Sequence, residues 1–285
     1  MQQNEKNKVE ASTLYLVGTP IGNLADITER AKKVLSEVDF VAAEDTRNSM
    51  KLLSCYGIHT ELVSYFEHNK RESGERIVAR LLGGESCALI TDAGMPAISD
   101  PGEDLVRLCQ ESGVAVRIVP GPSACVSALA LSGLSTVRFA FEGFLPAQKG
   151  DRRKRLDAVA NDDRTLIFYE APHKLRATLD DMAEIFGAER RIALCRELTK
   201  LNEEAMKLTL ADAVKYYKEK EPRGEYVLVV EGGSGKAKEE NPLLSLSPED
   251  HVAHYESQGA KRMDAIKMAA KDRGMSKSEL YKILV

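Results

Sequence analysis

Three short apolar runs in this chain each break into a loop rich in glycine and proline, a pattern that narrows the possible folds more than any other feature. Leu14 to Val17 runs into Gly18-Thr19-Pro20-Ile21-Gly22-Asn23-Leu24, Cys87 to Ile90 into residues 91–102, and Ala115 to Val119 into Pro120-Gly121-Pro122-Ser123-Ala124. A brief apolar run bounded by turn residues reads as a buried strand. Helical spacing lies between, from about Ile27 to Leu35, opened by a capping-box pattern over Asp26 to Glu29, and from Glu103 to Glu111. With Phe40 to Ala43 as a further strand, the alternation predicts βαβ units and a largely parallel sheet. Ligands in such folds bind beyond the carboxyl ends of strands.

The second half repeats the theme. A small-residue helix is predicted from Ser123 to Leu131, strands at Thr165 to Tyr169, Arg191 to Cys195 and Tyr226 to Val230, and helices at Lys174 to Phe186 and Thr209 to Lys218. A chain of 285 residues has room for two compact domains and an appendage. The predicted division is a disordered N-terminus (1–12), an α/β domain (13–121), a second α/β domain (122–232), a linker (233–247) and a small helical segment (248–285). The linker is read from its Gly-Gly-Ser-Gly-Lys and Glu-Glu-Asn-Pro composition. In the last segment, Met263 to Asp272, a turn at Gly274 and a capping box at Ser276 to Glu279 give a helix-turn-helix-like pattern.

Several function classes drop out. No apolar run approaches the roughly 18 residues of a membrane span. The polar stretch from Met1 to Ser12 lacks the apolar core of a signal peptide, so a cytoplasmic protein is expected. Cys55, Cys87, Cys109, Cys125 and Cys195 are scattered, without metal-ligand spacing, so neither a metal nor a disulfide is expected. Neither a P-loop nor GxGxxG is present. The loops themselves suit a small, partly polar cofactor held mainly by main-chain groups.

Net charge is −4, so any nucleic-acid contact must use local basic patches. One is Lys149-Gly150-Asp151-Arg152-Arg153-Lys154-Arg155, predicted to start a helix. The other is the stretch from Gly259 to Val285, with seven Lys/Arg against three Asp/Glu.

The runs LYLVGTPIGNLADITERA, AAEDTR, TDAGMPAISDPG, VPGPSA, EGFLP, FYEAPH, RELTK and GEYVLVVEG occur in this order between Leu14 and Gly232. Together they resemble the ribosomal RNA small-subunit 2′-O-cytidine methyltransferase branch of the tetrapyrrole methylase family. The resemblance implies two α/β domains with S-adenosylmethionine in the cleft between them, no metal, and a homodimer. It further implies 16S ribosomal RNA, or the small ribosomal subunit, as partner, with a cytidine near the decoding site as acceptor. Carried over by motif, the cofactor would be held by Pro20, Gly22, Asn23 and Leu24, by Gly94, Met95, Pro96, Ala97 and Ile98, and by Ser123 and Ala124. Where the wider family has Gly-Asp-Pro this chain has Gly94-Met95-Pro96, which preserves a backbone contact but removes a carboxylate.

Transfer of a methyl group to a ribose hydroxyl requires alignment and removal of one proton. Charged residues directly after strands are the candidates: Glu44, Asp45, Glu170, Glu197 and Lys200, with His173 beside them. The sequence leaves the base open among the four carboxylates. RNA contact is assigned to Lys149, Arg152, Arg153, Lys154 and Arg155. Methylation of a tetrapyrrole precursor, or a non-catalytic RNA-binding assembly factor on the same fold, are the alternatives.

Overall fold

A computed structural model describes residues 8–233 and 242–284. In chain order the first half is β1 (Thr13–Val17), α1 (Glu29–Glu37), β2 (Phe40–Ala43), α2 (Thr46–Cys55), β3 (Glu61–Ser64), α3 (Lys70–Leu82), β4 (Cys87–Ile90), α4 (Gly102–Glu111) and β5 (Ala115–Val119). Its strands form one all-parallel sheet in the order β3-β2-β4-β1-β5. β2 and β4 are buried along their whole length, which is why they read as unbroken apolar runs. Two apolar clusters fill the two faces, one around Val34, Leu35 and Ile90, the other around Phe40, Leu81 and Leu105. Thr28, rather than Asp26, caps α1, its hydroxyl accepting from the Ala31 N–H at 3.0 Å.

The second half is α5 (Ala124–Ser132), β6 (Phe139–Phe144), α6 (Lys149–Val159), β7 (Thr165–Glu170), α7 (Pro172–Phe186), β8 (Arg191–Arg196), β9 (Glu204–Thr209), α8 (Leu210–Glu219) and β10 (Tyr226–Val230). Its sheet, ordered β6-β7-β10-β8-β9, is mixed, unlike the parallel sheet of the first half. Only β6 and β7 pair in parallel; β10 lies antiparallel between β7 and β8, and β9 is antiparallel to β8. The turn at 197–203 returns the chain directly onto β8, and a direct return leaves only antiparallel pairing. One consequence bears on the site: the ends of β7 and β8 and the start of β10 share an edge, Tyr226 being paired with both Glu170 and Arg196.

Both sheets belong to one compact unit; residues 161–163 and those from 232 onward form another. The latter contains α9 (Pro248–Ser257), α10 (Arg262–Asp272) and α11 (Lys277–Leu284) around a small core of Val252, Ile266, Ala269 and Leu280. At the start of α11 the Glu279 carboxylate accepts from the Ser276 N–H (2.7 Å) and the Ser276 hydroxyl accepts from the Glu279 N–H (3.2 Å), a reciprocal capping box.

Of the N-terminal stretch expected to be disordered, residues 1–7 lie outside the described residues and 8–12 are held in place. Val9 packs on the first core, the Glu10 N–H donates to Tyr15 Oη (2.8 Å), and the Ser12 N–H donates to the Glu85 carbonyl (3.0 Å). Most of the expected linker, 234–241, also lies outside the described residues. No helix among the described residues is long and apolar enough to cross a membrane.

Candidate active site

Because β4, β1 and β5 are neighbours, the three Gly/Pro loops leave the same sheet edge side by side. They interlock through backbone. Thr19 and Gly94 exchange N–H···O bonds of 2.9 and 3.1 Å, and the Gly121 N–H donates to Met95 Sδ at 3.3 Å. A Cβ on Gly18 would lie 2.7 Å from the Gly121 Cα and equally close to Met95 Sδ, so this crossing admits only glycine.

A cleft of about 600 Å³ opens beside the loops, and its opposite wall comes from the shared edge of the second sheet. Gly94, Met95 and Ile98 line it from the second loop, Ser123 and Ala124 from the third. Tyr169, Leu198 and Val227 face them, and Tyr169 is wedged between Phe141 and Phe144 at ring separations of 4.8 and 5.4 Å. Burial pushes the Tyr169 hydroxyl up to about 12, so it stays a neutral donor.

The remaining residues assigned to the cofactor do not line the cleft. Pro20 and Pro96 are buried, and Ala97, in the left-handed region at φ 66°, donates its N–H to Asp100 Oδ1 at 2.9 Å. Gly22 packs so closely under Lys200 and Thr199 that a Cβ would meet Lys200 Cγ at 2.5 Å. The Asn23 N–H donates to Thr199 Oγ1 (3.0 Å), and the Leu24 carbonyl accepts from the Tyr56 hydroxyl (2.7 Å). The first loop therefore ties the two sheets together, and only its Ile21 lines the cleft. Sequence reasoning missed Tyr169, which was read only as the end of a strand; Ile21 lay within the first-loop motif, Pro20 to Leu24, without being singled out.

The carboxylate candidates are unequally placed. Asp45 caps α2, accepting from the Arg47 and Asn48 N–H groups, and pairs with the Arg47 guanidinium at 3.1 Å. Glu170 lines the cleft but is buried, its two oxygens accepting from Thr178 Oγ1 (2.6 Å) and the Ala171 N–H (2.9 Å). Glu197, strained at φ 52°, accepts from Lys200 Nζ (2.9 Å) and the Glu225 N–H (3.2 Å). The Lys200 ammonium holds it below the usual carboxylate range. Lys200 reaches the cleft with its Nζ also 2.9 Å from Glu225.

Glu44 differs. It follows β2, which lies beside β4, so it faces Thr91 and Asp92 at the next strand's end. It accepts one long hydrogen bond, from Thr91 Oγ1 at 3.4 Å, and its side chain opens into the cleft. Partial desolvation there, then the neighbouring carboxylates of Asp92 and Asp100, raise its pKa. Asp100 adds a buried Oδ2 with no hydrogen-bond partner among the described residues. His173 lies across the cleft at the start of α7. No cluster of three or more metal-ligating side chains occurs among the described residues.

On α6 the arginines of the basic run are engaged in ion pairs. Arg152 is buried, 6% exposed, and its guanidinium pairs with the equally buried Asp181 at 2.7 Å. Arg153 pairs with Asp181 (3.0 Å) and with Glu184, and Arg155 with Glu142 at 2.6 Å. Within this run Lys149 and Lys154 are exposed and make no ion pair among the described residues. Acidic partners contributed by α7 and β6, distant in sequence, consume the arginines.

Residues 13–214 match the family model described as Tetrapyrrole (Corrin/Porphyrin) Methylases. The chain is 49% identical to ribosomal RNA small subunit methyltransferase I of Halalkalibacterium halodurans, over 99% of this chain and 98% of that protein. It is 46% identical to the protein of the same name from Bacillus subtilis, over 98% and 96% respectively. Among solved structures it is similar to diphthine synthase (TM-score 0.61, 15% identity, 77% of this chain and 90% of that one). It is also similar to uroporphyrin-III-C-methyltransferase from Thermus thermophilus (TM-score 0.55, 21% identity, 76% and 94%). These structural likenesses speak to the fold alone.

Proposed function

The chain belongs to the tetrapyrrole methylases and, within them, to the ribosomal RNA small subunit methyltransferase I family, and from that premise we propose that it methylates the ribose 2′-oxygen of a cytidine in small-subunit (16S) ribosomal RNA, near the decoding site, with S-adenosylmethionine as donor. The observation that carries this reading is the cleft where three backbone-built loops face an aromatic and apolar wall.

The residues present fit the cofactor. S-adenosylmethionine carries a sulfonium and an ammonium, and the cleft has an acidic end at Glu44, Asp92 and Asp100, whose Oδ2 has no donor among the described residues. At Ser123 and Ala124 the cleft meets the first turn of α5, whose Ser123 side chain makes no capping bond, leaving helix N–H groups for a carboxylate. Ile21, Met95, Ile98 and Val227 would enclose the apolar parts. When bound, the cofactor supplies a methyl group on a sulfonium, an electrophile that needs no metal.

Two tasks fall to the protein. Holding the hydroxyl in line is worth about 7–11 kcal/mol in favourable cases. Glu44 would take the proton of the accepting hydroxyl; its raised pKa brings it nearer the range a general base needs. Asp45, Glu170 and Glu197 hold loops and helix starts, and Lys200, anchored by Glu197 and Glu225, places a cation at the cleft wall for the RNA. Lys149 and Lys154 add exposed positive charge on α6.

In this reading residues 13–121 and 122–232 are the two cofactor lobes, 233–247 a linker and 248–285 a separate helical module in a cytoplasmic protein. A homodimer is supported by the exposed apolar side chains of Ile118, Val126, Val137 and Phe139, close in sequence where the first half gives way to the second. Light scattering tests it, a monomer contradicting it. The reaction is tested with methyl-labelled S-adenosylmethionine offered small ribosomal subunits, free 16S RNA and uroporphyrinogen in parallel. Label in RNA is expected; label only in the porphyrin would replace this reading with the tetrapyrrole one.

A further inference from the structure

The C-terminal helical unit is electrically lopsided. Lys261, Lys267, Lys271, Lys277 and Lys282, at the start of α10 or along α10 and α11, are all exposed. None makes an ion pair among the described residues. Acids that might have balanced them are occupied. Asp272 accepts from the Tyr255 hydroxyl at 2.5 Å and lies 3.2 Å from Nε2 of the buried His251, Glu279 closes the capping box, and Glu256 pairs with Arg262 at 3.4 Å. Of the α10 carboxylates, only the exposed Asp264 makes no ion pair among the described residues.

The arrangement along the helices matters as much as the count. Lys267 and Lys271 are one turn apart and share a face of α10, while Ile266, Ala269 and Ala270 point into the unit's core. On α11, Lys277 and Tyr281 are likewise one turn apart, with the tyrosine 47% exposed and Leu280 buried beneath. Like charges one turn apart repel each other, so such a stripe weakens the unit unless something negative covers it. A row of ammonium groups with an exposed aromatic ring suits a sugar-phosphate backbone with unstacked bases better than it suits an apolar surface.

We propose that the exposed face of α10 and α11 is a docking surface for RNA phosphates of the small ribosomal subunit, an inference that rests on the RNA reading above. Charge complementarity selects the occupant: a polyanion recovers the repulsion that five unpaired lysines impose in a chain of net charge −4.

The test uses the full chain. The double variant Lys267→Glu/Lys271→Glu, and Lys267→Ala/Lys271→Ala as a milder form, are compared with the native chain for affinity to small ribosomal subunits over a salt series. Helix content by circular dichroism and affinity for S-adenosylmethionine by calorimetry are followed alongside. Lys215→Glu/Lys218→Glu on α8 makes the same change in net charge elsewhere. The expected result is roughly tenfold weaker subunit binding at physiological salt and a log K versus log salt slope shallower by about 2, with cofactor affinity and helix content unchanged. Unchanged affinity and slope, weakened binding without a change in slope, or an equal loss in the α8 variant would each overturn the proposal. The native chain separates the two readings: if it transfers no methyl group to small subunits the RNA reading fails, and if it does while the variants bind normally only this inference fails.

Discussion

Two basic stretches look alike on paper and differ in the folded chain. In α6 the run from Lys149 to Arg155 has its three arginines engaged by Asp181, Glu184 and Glu142. In the C-terminal unit Arg262 and Arg273 are also engaged, the first by Glu256, the second by His251 Nδ1 (3.1 Å) and the Leu246 carbonyl. The lysines of both stretches are left to solvent. In these two stretches, then, arginine is structural charge and lysine is available charge. Chemistry supplies the reason, since the forked guanidinium matches carboxylates and carbonyls geometrically while the ammonium is compact and strongly hydrated. The same division runs through the four candidate carboxylates: Asp45, Glu170 and Glu197 are bonded into the fold, and Glu44 accepts only one long hydrogen bond, from Thr91.

The contrast among carboxylates carries the largest expected effect. Glu44→Gln should lower kcat on the order of 10²–10⁴-fold. Because the Glu44 pKa is raised and the base acts only when ionised, activity of the native enzyme should fall as pH drops through a value above the ordinary ~4.3 of glutamate, and the variant should lose that limb. A Glu170→Gln variant with the larger loss would reverse the assignment. Next comes Asp181→Ala, which strands the buried Arg152 charge and should cost about 3–5 kcal/mol in urea unfolding. A loss under about 1 kcal/mol would mean that α6 is not held by this pair.

Smaller effects should come from the available charges. Lys267→Glu/Lys271→Glu should leave stability within about 0.5 kcal/mol while weakening subunit binding, the opposite signature to Asp181→Ala. Lys149→Ala/Lys154→Ala should weaken it least, roughly two- to threefold, with a small decrease in salt slope. If Lys149→Ala/Lys154→Ala proved more harmful to binding than the α10 variant, α6 would regain its place as the principal RNA contact.

Legibility followed burial. β2, β4 and β10 stand where their apolar runs end, because an interior strand of a sheet leaves little else for its residues to do. The edge strands β3 and β9, with Glu61-Leu62-Val63-Ser64 and Glu204 to Thr209 only half buried, offered no such run and were not seen. In the site, the loops carrying Gly94, Met95, Ser123 and Ala124 were found because Gly/Pro chemistry is local. What Gly22 and Asn23 do was not legible, since their partners Thr199 and Lys200 lie across the sequence. The burial of Arg152 was hidden for the same reason: nothing near it in the chain announces Asp181.

The central claim is chemical and can be read from a single nucleoside analysis. Small ribosomal subunits incubated with the chain and methyl-labelled S-adenosylmethionine should, after nuclease digestion, yield the label in 2′-O-methylcytidine. Label recovered on a base, on ribosomal protein, or in no nucleoside at all would contradict it.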